Sequence, residues 1–173
     1  RDPYPHKLYF LSENKGFCLC DEGYLLRMKD NEIIEKLKLS SLPLHQIAFM
    51  DETFGIITGG YREEREGEDE FHSILLRSED GGESWSNDPT FPYLLHDVYF
   101  IDSFWGFAAG ENESGQSVLI ETKDRGVSWT EVDFGGANIG ILRALHFKYG
   151  IGWAVGDEST LLRMEYEPVS TRR

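Results

Sequence analysis

The segment Ser78-Glu79-Asp80-Gly81-Gly82-Glu83-Ser84-Trp85 returns in altered form at Thr122-Lys123-Asp124-Arg125-Gly126-Val127-Ser128-Trp129, 44 residues later. Both copies share the pattern Ser/Thr-x-Asp-x-Gly-x-Ser-Trp. An Asp side chain can accept hydrogen bonds from the backbone N–H groups of a turn, and a Gly two places later can adopt a positive φ. The hydroxyls can satisfy further backbone groups, while the Trp lays an apolar plate over the hairpin. The pattern therefore predicts two tight β-hairpins, whose structural residues are Ser78, Asp80, Gly82, Ser84, Trp85, Thr122, Asp124, Gly126, Ser128 and Trp129.

Four segments of the chain align in the frame that these hairpins set. Each opens with an apolar strand containing a Phe, and a Gly follows that Phe after five or six residues. These glycines are Gly16, Gly55, Gly106 and Gly152, at intervals of 39, 51 and 46 residues. A second apolar strand, a third strand carrying Leu-Leu-Arg or a variant of it, and the acidic hairpin or its remnant come next. A period of this length is typical of propeller blades.

The predicted fold is all-β, a β-propeller of about four four-stranded antiparallel blades. We expect a single domain over residues 1–173, with repeats at approximately 6–40, 45–90, 96–135 and 143–170. Residues 31–39 have some helical propensity, but their place in the frame favours a fourth strand. Two arrangements stay open, a small closed ring of four blades and a part of a larger propeller.

The octapeptides resemble the Asp-box, or bacterial neuraminidase repeat, of sialidases, sortilin-type receptors and the photosystem II assembly and stability factor family. The last family is the most similar. Residues 145–156, followed by Leu161-Leu162-Arg163, match its repeat almost throughout. The resemblance implies a β-propeller, and it implies a role in protein–protein interaction, such as the assembly of a larger complex.

The composition excludes several partners. With 17 Lys and Arg against 31 Asp and Glu, the formal net charge is −14, which opposes binding to nucleic acid or to an anionic membrane surface. No apolar run is long enough to cross a bilayer, and no signal peptide is present in the sequence. The chain begins at Arg1 rather than Met, as a processed or a truncated product would, and we expect an exported protein, periplasmic or extracellular.

The two cysteines, Cys18 and Cys20, lie two residues apart on a predicted strand and so on one face of it. Neighbours on the same face are too far apart for an unstrained disulfide. We interpret both as small core residues. The alternative, half of a redox or metal site, lacks any further cysteine to complete it.

The candidate binding loop follows the second strand of the second repeat, in the acidic stretch 60–72. In an up-and-down blade this loop lies opposite the acidic hairpins, beside residues 87–96 and the Gly-rich stretch 133–143. Loops on a rigid scaffold commonly carry binding residues. The stretch is compatible with a solvated charge run, with a surface for a basic protein partner, or with a Ca²⁺ site, although it matches no EF-hand spacing. The candidate residues are Tyr61, Arg62, Glu63, Glu64, Glu66, Glu68, Asp69, Glu70, Phe91 and Tyr93.

No catalytic residues can be assigned. The five histidines lack the spacing of a zinc site or a catalytic triad, although His45 and His96 recur just before first strands. A sialidase mechanism would require an arginine trio, but Arg27, Arg77 and Arg163 share one framework position, where the third repeat has Glu121. These four positions predict framework salt bridges, with a ring of ligand-binding arginines as the alternative.

We therefore expect a non-catalytic scaffold that binds a protein partner and needs no metal or cofactor. The alternative function is a glycan-binding or vestigial sialidase-like domain, which would display exposed Trp or Tyr rings on the side of the variable loops. Only Trp105 among the four tryptophans is unexplained by the repeat.

Overall fold

The computed structural model describes residues 3–63, 70–88 and 92–166. These residues form four antiparallel sheets, in which each strand pairs with the next along the chain. Apart from one 3-10 turn at Asp21–Gly23, no helix occurs in the described part, and so no helix there could span a membrane. The strands are β1 Pro5–Phe10, β2 Lys15–Cys20, β3 Tyr24–Lys29, β4 Glu32–Lys38, β5 Leu44–Phe49, β6 Gly55–Glu63, β7 Glu70–Ser78, β8 Ser86–Asp88, β9 Tyr93–Phe100, β10 Gly106–Asn112, β11 Ser117–Thr122, β12 Thr130–Glu131, β13 Leu142–Lys148, β14 Ile151–Gly156 and β15 Leu161–Glu165.

Sheets 1, 2 and 3 consist of β1–β4, β5–β8 and β9–β12, and sheet 4 consists of β13–β15. The chain divides into two compact units, residues 1–95 and residues 96–173. Residues 31–39, where helical propensity competed with the repeat frame, contain the strand β4. The repeat frame therefore outweighs local propensity here, because the strand completes a sheet that buries apolar side chains.

The spacing from Phe to Gly has a direct structural cause. The Phe at the last or next-to-last position of each first strand lies over the Gly at the first or second position of the second strand, and a Cβ added to that Gly would meet ring atoms at 2.9 Å or less. Only a residue without a side chain allows the ring to lie flat across the hairpin. The four Phe/Gly pairs are Phe10/Gly16, Phe49/Gly55, Phe100/Gly106 and Phe147/Gly152.

The core of the first unit lies between sheets 1 and 2. Phe17 stacks on Phe49, with ring centroids 5.2 Å apart and an interplanar angle of 16°. Trp85 meets Phe49 edge-on, and Leu19 and Leu25 are fully buried nearby. Burial of side chains this large contributes roughly 1.5–3 kcal/mol each. The aromatic stack therefore joins the two sheets.

The second unit repeats this arrangement between sheets 3 and 4. Phe107 stacks on Phe147, with centroids 4.8 Å apart and an interplanar angle of 13°. Tyr99 Oη donates a hydrogen bond to the Phe147 carbonyl oxygen at 2.8 Å. Its counterpart Tyr9 donates to the Phe49 carbonyl oxygen at 3.3 Å. Each unit is therefore the same two-sheet module, joined by one aromatic pair and one tyrosine hydroxyl.

Replacing Tyr99 or Tyr9 by Phe removes the hydroxyl and leaves the ring in place. We expect either change to lower the free energy of unfolding by about 0.5–1.5 kcal/mol, since the partner carbonyl loses a hydrogen bond. Chemical denaturation measures the loss. Tyr149→Phe is the matched control, because Tyr149 is 87% exposed; an equal loss in the control would contradict the assignment.

The two acidic hairpins have the same hydrogen bonds. The carboxylate of Asp80 accepts from Ser78 Oγ at 2.8 Å, from Ser84 N at 2.9 Å and from Ser84 Oγ at 2.6 Å. Gly82 N donates to Ser78 Oγ at 2.7 Å, which closes the turn. Gly82 has φ +86°, and a Cβ there would lie 2.5 Å from the Phe17 ring. Both the backbone conformation and the close contact with the ring therefore require Gly at this position.

At the second hairpin, Asp124 accepts from Thr122 Oγ1 at 2.9 Å and from Ser128 N and Oγ at 2.9 and 2.5 Å. Gly126 N donates to Thr122 Oγ1 at 2.8 Å. The two segments of shared sequence therefore adopt one geometry, in which a carboxylate replaces the backbone partners that a tight turn leaves unsatisfied.

We expect Asp80→Ala and Asp124→Ala each to lower the free energy of unfolding by about 1–3 kcal/mol, because several turn donors lose their acceptor. Thermal and urea denaturation measure the effect. Glu79→Ala, at an exposed neighbouring position, is the control. Clearly unequal losses at Asp80 and Asp124 would contradict their equivalence.

Acid should weaken both hairpins. The hydrogen bonds from Ser84 hold the pKa of Asp80 at about 2, and those from Ser128 lower the pKa of Asp124 in the same way. A carboxyl group whose pKa is lower in the folded state stabilises the fold above its unfolded pKa, and loses that contribution as the pH falls through the folded pKa.

For Asp80, this window runs from its ordinary pKa of 3.8 down to about 2. The difference in unfolding free energy between the wild type and Asp80→Asn should therefore shrink as the pH falls through this range. Urea denaturation at a series of pH values measures it, with Glu79→Gln showing the effect of removing a nearby charge alone. A difference that stays constant with pH would contradict the role assigned to the carboxylate.

Candidate functional site

The acidic hairpins and the turns between first and second strands lie at the same end of each unit. Gly81 N donates to the Thr53 carbonyl at 2.7 Å in the first unit, and Arg125 N donates to the Phe104 carbonyl at 3.1 Å in the second. Antiparallel connectivity places the connections between second and third strands at the opposite end. We call the two ends of a unit the hairpin end and the loop end.

Both ends of the acidic stretch 60–72 belong to strands. β6 runs to Glu63 and β7 begins at Glu70, and they pair with Tyr61 opposite His72, Arg62 opposite Phe71 and Glu63 opposite Glu70. The Tyr61 ring lies 4.7 Å from the His72 ring, and the Arg62 guanidinium lies 5.2 Å from the Phe71 ring. The prediction of a loop beginning at residue 60 was therefore wrong at both ends of the stretch, because cross-strand ring contacts extend the pairing.

Of the other residues predicted for this binding loop, Tyr93 is half-buried at the start of β9. Five lie outside the described residues, namely Glu64, Glu66, Glu68, Asp69 and Phe91. The binding role assigned to the whole set stays a prediction.

A cleft of about 460 Å³ opens at the loop end of the second unit. Its walls come from three connections, at residues 112–117, 131–141 and 157–158. An adjoining pocket of about 340 Å³ shares part of the same wall, including Glu131, Phe134 and Ala137. The two together form a groove along the edge of sheet 3. The lining residues of the cleft are Asn112, Gly115, Gln116, Ser117, Val118, Glu131, Phe134, Ala137, Asn138, Ile139, Gly140, Ile141, Asp157 and Glu158.

Hydrogen bonds fix the walls of this cleft. Gly140 N donates to Thr160 Oγ1 at 2.9 Å, and Leu142 N donates to Ser117 Oγ at 3.1 Å. A Cβ at Gly140 would lie 2.2 Å from the Asp157 carbonyl oxygen, so Gly is required where the two connections meet. The cleft is therefore held by bonds from backbone N–H groups to side-chain hydroxyls and by one close backbone contact, and it is preformed.

The lining combines two chemistries. Phe134 and Ile139 also pack against the core of the second unit, so the apolar wall is continuous with that core. The carboxylates of Glu131, Asp157 and Glu158 lie on the same cleft. An extended segment with apolar side chains and a cationic group has the complementary chemistry.

A charged cluster stands next to the cleft. Arg143 donates from Nη2 to Asp157 Oδ2 at 2.6 Å and from Nη1 to His96 Nε2 at 2.7 Å. His96 Nε2 also lies 3.5 Å from Oε1 of the buried Glu111. The hydrogen bonds from Arg143 lower the pKa of Asp157, and those to Asp157 raise the pKa of Arg143. The cluster ties β9, β10 and β13 to the turn 157–158, which is a structural role for His96.

The framework positions Arg27, Glu121 and Arg163 make polar contacts within their own units. Arg27 pairs with Glu35 and Glu83, and Arg163 pairs with Glu165 at 2.8 Å. The predicted salt bridges are therefore present at Arg27 and Arg163.

In the third repeat, Glu121 accepts a hydrogen bond from Trp105 Nε1 at 2.7 Å and pairs with Lys123 at 2.9 Å. Trp105, which the repeat pattern left unexplained, also packs against Phe107 and Tyr166. This ring is half-buried and packs against the core of the second unit.

Burial accounts for the cysteines. Cys18 and Cys20 are both free and buried, and desolvation raises the pKa of Cys20 to about 11. Such thiols are poor nucleophiles at neutral pH. Within residues 3–63, 70–88 and 92–166, no group of three or more His, Cys, Asp or Glu side chains is placed to hold a metal ion.

The cleft was only partly visible in the sequence. The Gly-rich stretch 133–143 was expected beside a binding site, and it forms one wall. Asn112, Gln116 and Glu158 were missed, because each lies in a short turn with ordinary turn composition. Asn112 Oδ1 accepts from Ser114 N and Gln116 N at 3.0 Å each, and this Asn-x-x-Gly turn is the one signal that could have indicated an ordered wall.

Antiparallel sheets of consecutive strands, repeated in this way, define the β-propeller class, and the chain has that fold. It is similar to the solved structure of YCF48 bound to D1 peptide, with a TM-score of 0.66 and 21% identity, covering 98% of this chain and 51% of that one. It is also similar to YCF48 from Cyanidioschyzon merolae, with a TM-score of 0.62 and 14% identity, covering 97% of this chain and 54% of that one. The chain thus spans about half the length of these structures. No protein-family model matches it, and no curated protein matches it.

Proposed function

We propose that this chain is a non-catalytic β-propeller domain that binds an extended segment of a partner protein, in the service of assembling a larger complex. One observation carries the proposal: a solved structure that shares this fold over 98% of the chain is bound to a peptide. The photosystem II assembly factors, which the repeats resemble, support the same role.

The groove of the second unit is the proposed binding site. It is preformed, so binding requires little ordering of the protein, which lowers the entropic cost of association. Its apolar wall at Phe134 and Ile139 fits apolar side chains, and the carboxylate of Glu158 fits a Lys or Arg. The formal net charge of −14 adds long-range attraction for a basic segment.

Two further features support a binding role without catalysis. The arginines at positions 27 and 163 are engaged in salt bridges of the framework. The polar groups next to the cleft, Arg143, His96 and Asp157, are engaged with one another and hold the walls together. The side chains of these residues bond to one another, whereas catalytic side chains would be available to a bound substrate.

We also infer that residues 78–85 and 122–129 are Asp-boxes with a purely structural role. Their equal geometry supports this, and binding that survives Asp80→Ala in folded protein would be consistent with it.

The export of the protein, to the periplasm or outside the cell, is a further proposal that N-terminal sequencing and cell fractionation of the native protein would test.

The cleft variants Glu158→Gln and Phe134→Ala should each weaken binding of a basic, apolar peptide library about fivefold to tenfold, which corresponds to about 1–1.4 kcal/mol. The carboxylate variant should also reduce the dependence of affinity on salt, because it removes one charge of the pair. Fluorescence anisotropy with labelled peptides measures both quantities, and near-UV circular dichroism checks that each variant is folded.

Matched controls at the hairpin end are Glu79→Gln and Phe104→Ala, both at exposed positions. Wild-type affinity in both cleft variants would exclude the groove. A parallel variant tests the acidic stretch. If it alone loses binding, the site belongs to that stretch. Its neutralised residues are Glu63, Glu64, Glu66, Glu68, Asp69 and Glu70. Binding on a glycan array in place of peptides would favour the glycan-binding alternative.

A further inference from the structure

The groove of the second unit contains a backbone edge that points into it. Ser117, the first residue of β11, is half-buried and borders both parts of the groove. Asn112 N donates to the Gln116 carbonyl oxygen at 3.0 Å, so Gln116 faces β10. Val132 N donates to the Leu119 carbonyl oxygen at 2.8 Å, so Leu119 faces the outer edge. Because successive residues of a strand direct their backbone groups to opposite edges, the N–H and C=O of Ser117 also face the outer edge.

The outer strand of sheet 3 ends before it reaches Ser117. β12 ends at Glu131, and Asp133 Oδ1 then accepts a hydrogen bond from Gly135 N at 2.8 Å. This turn, in which Gly135 has φ +65°, carries the chain away from β11. Within the part of the chain that the structure describes, no group bonds to the N–H or C=O of Ser117 across this edge.

Sheet 1 shows how a longer outer strand fills the same position. When the repeats are aligned on Arg27 and Glu121, Gly23 takes the place of Ser117. The carbonyl oxygen of Gly23 accepts a hydrogen bond from Leu39 N at 3.0 Å, directly after the seven-residue strand β4. The chain therefore pairs this position itself in sheet 1 and leaves it open in sheet 3.

We propose that the partner segment enters the groove as a short added strand, which pairs with the backbone of Ser117 where the outer strand of sheet 3 ends. This inference rests on the proposed function and specifies how the segment binds. In this mode of recognition, main-chain hydrogen bonds supply affinity, and contacts of alternate side chains supply specificity. The added strand would take the position that Leu39 occupies in sheet 1.

The groove also selects the side chains of such a strand. Side chains two residues apart on a strand point to the same face. The apolar wall at Phe134 and Ile139 and the carboxylate of Glu158 border the groove that contains Ser117. We therefore expect a segment whose apolar contacts recur at every second residue and which also carries a Lys or Arg to pair with Glu158.

Hydrogen exchange followed by NMR tests the open edge in the protein alone. After correction for local sequence, the Ser117 amide should exchange at least about tenfold faster than the Val118 amide, because only the latter is paired within the sheet. Val118 lies opposite Gly110 and directs its N–H to β10. A Ser117 amide that is protected as strongly as that of Val118 would overturn the proposal.

Backbone N-methylation of the bound peptide tests the pairing without any change in the protein. The probe is the tightest-binding member of the basic, apolar library. Methylation of the residue whose N–H meets Ser117 should weaken binding at least about fivefold, since the hydrogen bond is lost. Methylation of its two neighbours should change the affinity less than about twofold, because their N–H groups point away from β11.

The methylation series separates this inference from the proposed function. Affinity that responds equally at all positions, or at none, would overturn the added strand and leave peptide binding in place. A library in which no peptide binds would overturn both.

The variant Ser117→Pro removes the same hydrogen bond from the side of the protein, and Pro is tolerated at the first residue of a strand. It is compared with Ser117→Ala, because both variants lose the Oγ that accepts from Leu142 N at 3.1 Å and only the Ala variant keeps the N–H. The Pro variant should bind the peptide at least about fivefold more weakly than the Ala variant. Near-UV circular dichroism establishes that both are folded.

Two results with these variants would contradict the proposal. Equal affinity of the Pro and Ala variants would show that the N–H of Ser117 takes no part in binding. Self-association of the wild type that only Ser117→Pro abolishes, measured by sedimentation equilibrium, would assign the edge to a second copy of the chain instead of a partner segment.

Discussion

The packing of a phenylalanine ring over a glycine, at the end of each first strand, is the constraint on which the structure depends. The ring lies across the hairpin because the Gly has no Cβ, and the same ring stacks on an aromatic residue of the neighbouring sheet in both units. One side chain thus sets the register of a hairpin and the contact between two sheets. Substitution of the Gly would displace the ring and loosen both.

The stacking explains why the hairpin end of each unit is regular. Gly82 sits against the Phe17 ring, so the acidic hairpin of sheet 2 reaches the core of sheet 1. The Asp carboxylate satisfies the turn, and the Trp that follows packs on the core. The indole N–H groups of Trp85 and Trp129 have no hydrogen-bond partner in the described part of the chain, which marks these rings as apolar packing elements.

The loop end is free of these constraints, and the groove of the second unit is found there. Its walls are single turns held by hydrogen bonds such as that of Gly140 to Thr160. The hairpin end thus stabilises the unit, and the loop end is available to bind a partner. This arrangement is common in proteins whose loops extend from a rigid scaffold.

The sequence by itself determined the all-β fold, the repeat frame and the acidic hairpins, because local chemistry decides these: alternating apolar strands, a Phe spaced from a Gly, and an Asp that satisfies its own turn. Even so, it predicted a loop where β6 and β7 pair as far as Glu63 and Glu70, since cross-strand ring contacts are invisible in a linear pattern. Only the tertiary structure decided where the groove lies, because its lining joins residues from three distant turns, such as Asn112, Phe134 and Glu158. It alone also showed which apolar faces are buried within each unit, because burial is a property of neighbouring sheets, and a strand's own residues do not encode whether a neighbour is there.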